Sequence, residues 1–374
     1  MSIIHAQERL HYMDHLRALA MLAGVLFHAA LAYSPLMQPI FPPADRQTAV
    51  VVDLVAWGLH LVRMPLFFLV AGFFAAWILA SRSGAALARQ RVRRLLVPLL
   101  LAWPLVWLSL SAATDWAAAN VEHPSAMLTM IAQWMQQPDP PRLPPSTVHL
   151  WFLYYLLLFA VVHWALRTLE LGRLGQRLLQ RHPAWVLLGL PLLLVPALAS
   201  VSAPHPAPES LVPQFWAITF YGSFFALGTL LHGRPDWIER ARPIAKWLLP
   251  GAAVAYLAFL WRLAVDPPSV SQLTAPWPTA VLEAGLSVWL TVLCLLAGQS
   301  LLNRPNPVMR YLAQSAYWTY LLHLPVLFAL QYRLMDVELA WPLKFLMAST
   351  VTLGVCLISY QLLVRHTPLR RFVG

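Results

Sequence analysis

Residues 15–31 read HLRALAMLAGVLFHAAL, an apolar run that opens at His15 and has Arg17 and His28 set into it. Ten residues separate the arginine from the histidine, so they stand eleven steps apart. At ~100° per residue that is about 1100°, roughly 20° past three full turns, with ~16 Å of rise. The two side chains therefore share one helix face at different depths. A run this long and this apolar matches the ~20 residues that cross a bilayer. An ionisable group kept at membrane depth usually faces a cavity or a pathway.

The rest of the chain follows the same pattern. Its 374 residues are 59% hydrophobic and 11% charged, where a soluble protein carries about 25% charged residues. Apolar runs of spanning length recur from one end to the other. The expected fold is an all-α polytopic membrane protein of about ten transmembrane helices with both termini cytoplasmic, forming a single domain over 1–374. The spans fall at about 14–35, 51–79, 92–114, 148–168, 184–200, 214–232, 245–264, 278–300, 309–330 and 341–363. No internal repeat is visible. Ala30-x-Ala32 resembles a cleavage signal. Cleavage there would discard Arg17 and His28, so residues 14–35 are expected to stay as the first helix.

The net charge of +11 does not point to nucleic acid, because the basic residues form no groove and no stacking motif accompanies them. They alternate with the spans instead. With a cytoplasmic N-terminus, inside loops hold Arg82, Arg89, Arg91, Arg93 and Arg94, then Arg167, Arg173, Arg177 and Arg181, then Arg234, Arg240, Arg242 and Lys246. Arg304, Arg310, Arg365, Arg370 and Arg371 continue the series, while outside loops offer Arg46, Arg142 and Arg333. This is positive-inside topology. Cys294 and Cys356 sit inside apolar runs with no CxxC spacing, so both read as core thiols.

Several spans place polar groups at the depth of His28. The second contributes His60 and Arg63, one turn apart, and the fourth begins with His149. Glu283 lies in the eighth span and His323 in the ninth. Together they imply one buried polar chamber in the outer half of the membrane. Simpler readings stand beside this one. Arg17 can snorkel to headgroups, His149 can belong to an aromatic belt beside Trp151, and Glu283 and Asp53 can cap helices. Arg91 and Arg94 sit at i, i+3, a fork suited to phosphate or simply part of the positive-inside charge. No Walker A, GxGxxG, GxSxG or HExxH pattern occurs, and none of the histidines of this layer is paired with another at i, i+4, so no metal is expected. The Pro-rich segment QQPDPPRLPPSTVH, residues 136–149, reads as extended.

These segments resemble the integral-membrane acyltransferases of acyltransferase family 3, and within it the branch that modifies osmoregulated periplasmic glucans. The likeness runs through YMDHLRALAMLAGVLFH, HLVRMPLFFLVAGFF, RVRRLLVP, HLWFLYYLLL, YGSFFALGTLL and YLLHLPV, in family order, from about residue 8 to 330. It implies an inner-membrane enzyme that carries an acyl group, succinyl or acetyl, from cytoplasmic acyl-CoA to a periplasmic glycan acceptor. Proteins of glycan synthesis and membrane lipid would be its partners. By this resemblance His28 is the catalytic histidine, Arg17 its partner arginine, and Arg91 and Arg94 the acyl-CoA-binding pair. His60, Arg63, His149 and His323 match motif residues of the family. Arg63 is the expected oxyanion donor and Glu283 a further substrate-binding group of the chamber. One departure is Ala71-Gly72, where the family often has Ser before Gly. A transporter or flippase is the competing class, because a bundle with a polar midlayer also describes many transporters.

Overall fold

The computed structural model describes residues 11–81, 84–139, 145–167, 172–267 and 273–374. Arg82, Arg142 and the centre of the proline-rich segment lie outside the described residues, as do the side chains of Arg167 and Arg173. The chain forms α1 (His11–Leu31), α2 (Val50–Ser81), α3 (Gly84–Arg91), α4 (Val97–Asn120) and α5 (Ala126–Met135). It continues through α6 (Trp151–Arg167), α7 (Gly172–Gln180), α8 (Ala184–Ala199), α9 (Phe215–His232) and α10 (Asp236–Ala241). The remainder is α11 (Ala245–Val265), α12 (Trp277–Leu301), α13 (Pro307–Leu334), α14 (Trp341–Ser359) and α15 (Arg370–Val373). Among the described residues there is no sheet, only an isolated bridge between Ser146 and Ser210.

Among the described residues, eight helices are long and apolar enough to cross a membrane. Two of the ten expected spans are helices that fall short of that standard. α8 has 16 residues. α13 has 28, ample length, but His323, Gln331 and several tyrosines dilute its hydropathy. The protein is a multi-pass, all-helical membrane protein. Its helix starts follow local chemistry: Asn306 caps α13 by accepting from Val308 and Met309 N–H, with Pro307 at the first position, where a missing N–H costs nothing. Prolines 65, 104, 250 and 325 sit inside helices, which is tolerated where neighbouring helices re-satisfy the freed carbonyls.

α1 is central, touching α2, α12, α13 and α14. Its small residues Ala18, Ala20 and Ala29 are buried, so the neighbours approach closely. The tightest seam is α2 against α9. A Cβ built at Gly72 would lie 2.0 Å from the Phe225 carbonyl oxygen, and one at Gly228 would lie 1.9 Å from that of Leu69. Only glycine fits such backbone contact, the usual means of close helix association in lipid.

At the end of the bundle away from the N-terminus, connecting segments fold back over the helices. Lys344 Nζ meets Asp45 Oδ2 at 2.6 Å, both buried. Asp53 does not cap α2 as expected. It lies inside the first turn and accepts from the Ser34 hydroxyl, from Leu36 N–H at 3.4 Å and from Trp57 Nε1–H at 3.2 Å, thereby tying the turn after α1 to α2. Thr147 N–H and its hydroxyl both donate to the Glu209 carbonyl at 2.8 Å. That holds the 201–214 segment against the start of α6.

Candidate active site

The sequence-expected polar residues converge into one layer with two halves. In the first, the His28 ring lies 5.5 Å from that of His323, which lies 5.2 Å from that of His149. Carbonyl oxygens fix the tautomers. His323 Nδ1–H donates to the Tyr320 carbonyl at 2.8 Å, and His149 Nε2–H donates to the same oxygen at 3.0 Å. A carbonyl only accepts, so in the neutral rings His323 Nε2 and His149 Nδ1 carry lone pairs. The Tyr320 hydroxyl closes the clamp by donating to the His149 carbonyl at 2.5 Å. His149 is thus a buried member of the layer and not an interfacial residue. His28 itself is half-buried.

The second half was only partly legible. His60 packs 4.3 Å from the ring of His205, a residue of the 201–214 segment that the sequence did not flag. His205 Nδ1 lies 2.7 Å from Glu283 Oε1, and the same oxygen accepts its backbone N–H at 2.9 Å. His205 Nε2 reaches the Tyr221 hydroxyl at 3.1 Å. Glu283, fully buried, is therefore no helix cap. An unpaired carboxylate at that depth costs several kcal/mol, and His205 is the partner that offsets it. The sequence carried little signal for His205, because "APHPAP" has neither periodicity nor spanning length.

Arg63 links the halves. It is 7% exposed, its guanidinium carbon sits 4.2 Å over the Phe27 ring, and Nη1 reaches the Gly24 carbonyl only at 3.5 Å. Its Nε has no hydrogen-bond partner. Phe27 in turn packs against His28 at 5.2 Å and His60 at 5.7 Å. A buried guanidinium so thinly satisfied is poised for an anion or a developing oxyanion.

His60, His205 and Glu283 also form a set of potential metal donors, their ligand atoms within 4.8 Å of one another. Zinc bonds of ~2.0–2.1 Å bring ligand atoms to about 3.3 Å, so the set would close on an ion only if the His205–Glu283 hydrogen bond opened.

The arginines at the N-terminal end of α1 share a different space. A cavity of about 1060 Å³ is lined there by Arg17, Arg91 and Arg94, and toward the membrane interior by Phe67, Phe152 and Tyr320. Arg17 does more than snorkel: it bonds the Ala313 carbonyl at 3.0 Å and pairs with Asp14 at 3.3 Å. Arg91 and Arg94 do not form the expected fork on one α-helical face. Arg91 ends α3, and Arg94 lies in a π-helical turn, Val92–Leu96, of the kind frequent at functional sites. His28 is not among the residues lining this cavity. The Phe67–Phe152–Tyr320 wall separates the arginines from the histidine layer.

A central helix bearing one arginine toward a basic cavity and one histidine into a buried polar layer is the arrangement expected of an intramembrane acyl-transfer enzyme. Residues 10–361 match the family described as Acyltransferase domain, and the chain belongs to that family. It is similar to the Glucans biosynthesis protein C of Salmonella schwarzengrund (strain CVM19633), 24% identical over 376 residues that span 98% of this chain and 94% of that protein. The Glucans biosynthesis proteins C of Salmonella typhi and Salmonella typhimurium (strain LT2) are likewise 24% identical, over 377 residues and the same shares. No solved structure matches the chain.

Proposed function

We propose that this acyltransferase moves a succinyl or acetyl group from cytoplasmic acyl-CoA to a hydroxyl of a periplasmic glucan or another extracytoplasmic glycan, across a bacterial inner membrane. The observation that carries the proposal is the split of function along α1: Arg17 faces a basic cavity at one end, while His28 joins a layer of histidines and Arg63 deeper in. CoA phosphates suit the arginines, and a pantetheine arm can extend over the ~16 Å between Arg17 and His28. His28 then removes the proton of the acceptor hydroxyl as general base. The hydroxyl oxygen attacks the thioester carbonyl, Arg63 steadies the oxyanion, and the sulfur leaves as the CoA thiol after taking up the proton. A succinyl carboxylate would give Arg63 the counter-charge it lacks, which supports succinyl as donor group. The glucan acceptor rests on the names of the relatives.

The test is acyl transfer from labelled acyl-CoA to glucan by purified protein. His28→Ala, with expression and folding checked, should lower the rate by ~10²–10⁴; an unchanged rate refutes the role. A transporter is a second reading, favoured by the wall that keeps His28 out of the arginine-lined cavity, as in alternating access. It predicts that no label reaches the sugar.

A further inference from the structure

The arginine-lined cavity holds more cation than the family match accounts for. That match ends at residue 361, yet Arg370 and Arg371 also line the cavity. They lie on the short α15, which packs against the Val92–Leu96 turn. Two contacts set this geometry. Arg93 places its guanidinium carbon 5.2 Å over the Phe372 ring, which docks α15. Arg370 and Arg94 then line the same cavity. Among the described residues no aspartate or glutamate lines the cavity. Arg91 Nε and Nη2, buried in its wall, have no hydrogen-bond partner.

Like charges gathered around one cavity repel one another, and the buried, unbonded guanidinium nitrogens of Arg91 forfeit their solvation without replacement. Both costs fall when a polyanion binds. One diphosphate would suit Arg91 and Arg94. A second cationic pair on α15 calls for a further phosphate elsewhere on the same ligand.

We propose that Arg370 and Arg371 form a subsite for a separate phosphomonoester of a nucleotide donor, namely the ribose 3′-phosphate of acyl-CoA, while Arg91 and Arg94 take its diphosphate. This rests on the acyl-CoA reading above. The α15 segment is thereby part of the donor site and not merely a basic tail.

The experiment uses the full chain in nanodiscs and measures binding of acetyl-CoA and of 3′-dephospho-acetyl-CoA. Wild type should bind the dephospho compound roughly tenfold or more weakly, the scale of one charge-assisted hydrogen bond. The Arg370→Gln/Arg371→Gln double variant should bind both compounds as weakly as wild type binds the dephospho one, and Arg370→Lys/Arg371→Lys should recover part of the difference. A Gln variant that keeps the wild-type discrimination overturns the subsite while leaving the acyl-CoA reading intact. Failure of wild type to bind either compound overturns that reading itself. The same measurements in zwitterionic and in anionic lipid separate a headgroup role. If wild type does not discriminate and the variant differs only in anionic lipid, the pair belongs to the membrane surface and the subsite is refuted.

Discussion

Replacing Gly72 or Gly228 by alanine tests the seam on which the active layer depends. At these positions the added methyl carbon would sit 2.0 Å from the Phe225 carbonyl oxygen or 1.9 Å from that of Leu69. Ordinary contact begins near 3.4 Å, so each methyl demands roughly 1.5 Å of separation at the crossing. Neither obstacle is a side chain that can turn aside. Overpacking of a flexible core costs about 1–3 kcal/mol; against rigid backbone we expect ~3 kcal/mol or more for each substitution. Because both act on one crossing, the double variant should cost less than the two singles added. α2 also carries His60 and Arg63, and misplacement of a reacting group by about 1 Å is enough to lose ~10²-fold in rate. The assay is unfolding by detergent titration and by heat, with acyl transfer measured alongside. Gly251 and Gly354 lie within helices, and a Cβ at either would meet nothing within 4 Å, so their alanine variants are the controls. There the gain in helix propensity, up to ~1 kcal/mol, should leave stability level or raised. A Gly72→Ala protein as stable as Gly354→Ala would refute the argument from backbone contact.

Glu283→Ala should leave the His205 ring and backbone N–H without their buried acceptor, at about 1–3 kcal/mol for each group. Limited proteolysis should then cut within 201–214, and an uncut segment speaks against the anchoring role. Lys344→Met alone strands the Asp45 carboxylate and should destabilise by about 3–5 kcal/mol, whereas Lys344→Met with Asp45→Leu should come close to wild type; equal losses in the two proteins would contradict this. At the same end of the bundle, partial burial favours protonation of Asp336. The N–H groups of Glu122 and His123 and the His123 ring outweigh it and hold the carboxyl below its ordinary value. A depressed carboxylate stabilises the fold fully above its unfolded value of about 3.9 and loses that contribution as pH falls through the folded one. Amide exchange at residues 122 and 123 should therefore stay protected at neutral pH and open only in strong acid. Asp336→Asn should weaken that protection at neutral pH, and protection unchanged in Asp336→Asn would exclude the carboxylate as its source.

The sequence was strongest where one physical rule acts along a contiguous stretch. A bilayer demands a fixed apolar length, so the helices stand close to the expected spans: 277–301 against about 278–300, and 341–359 continuing to 364 against about 341–363. Lipid also makes ionisable groups expensive, so those retained at depth announced themselves. His28, His60, Arg63, His149, Glu283 and His323 were marked by their positions and do meet. Where the expectation failed, the cause lay outside any single helix. Glu283 looked like a cap because its partner comes from a segment with no pattern. Arg91 and Arg94 looked like an α-helical fork because a π-turn leaves no reliable trace in one sequence.

By itself, then, the sequence determined an all-helical membrane protein, its polar residues at depth and the family likeness that points to acyl transfer. Each of these follows from local periodicity, from the cost of charge in hydrocarbon or from short motifs. Only the tertiary structure decided that His205 enters the layer to pair with Glu283, that Tyr320 clamps His149, and that a wall of Phe67, Phe152 and Tyr320 parts the arginine-lined cavity from the histidines. The reason is that these are pairings between segments far apart in the chain. They depend on how the helices cross, which glycine contacts such as Gly72 and Gly228 fix and hydropathy does not encode.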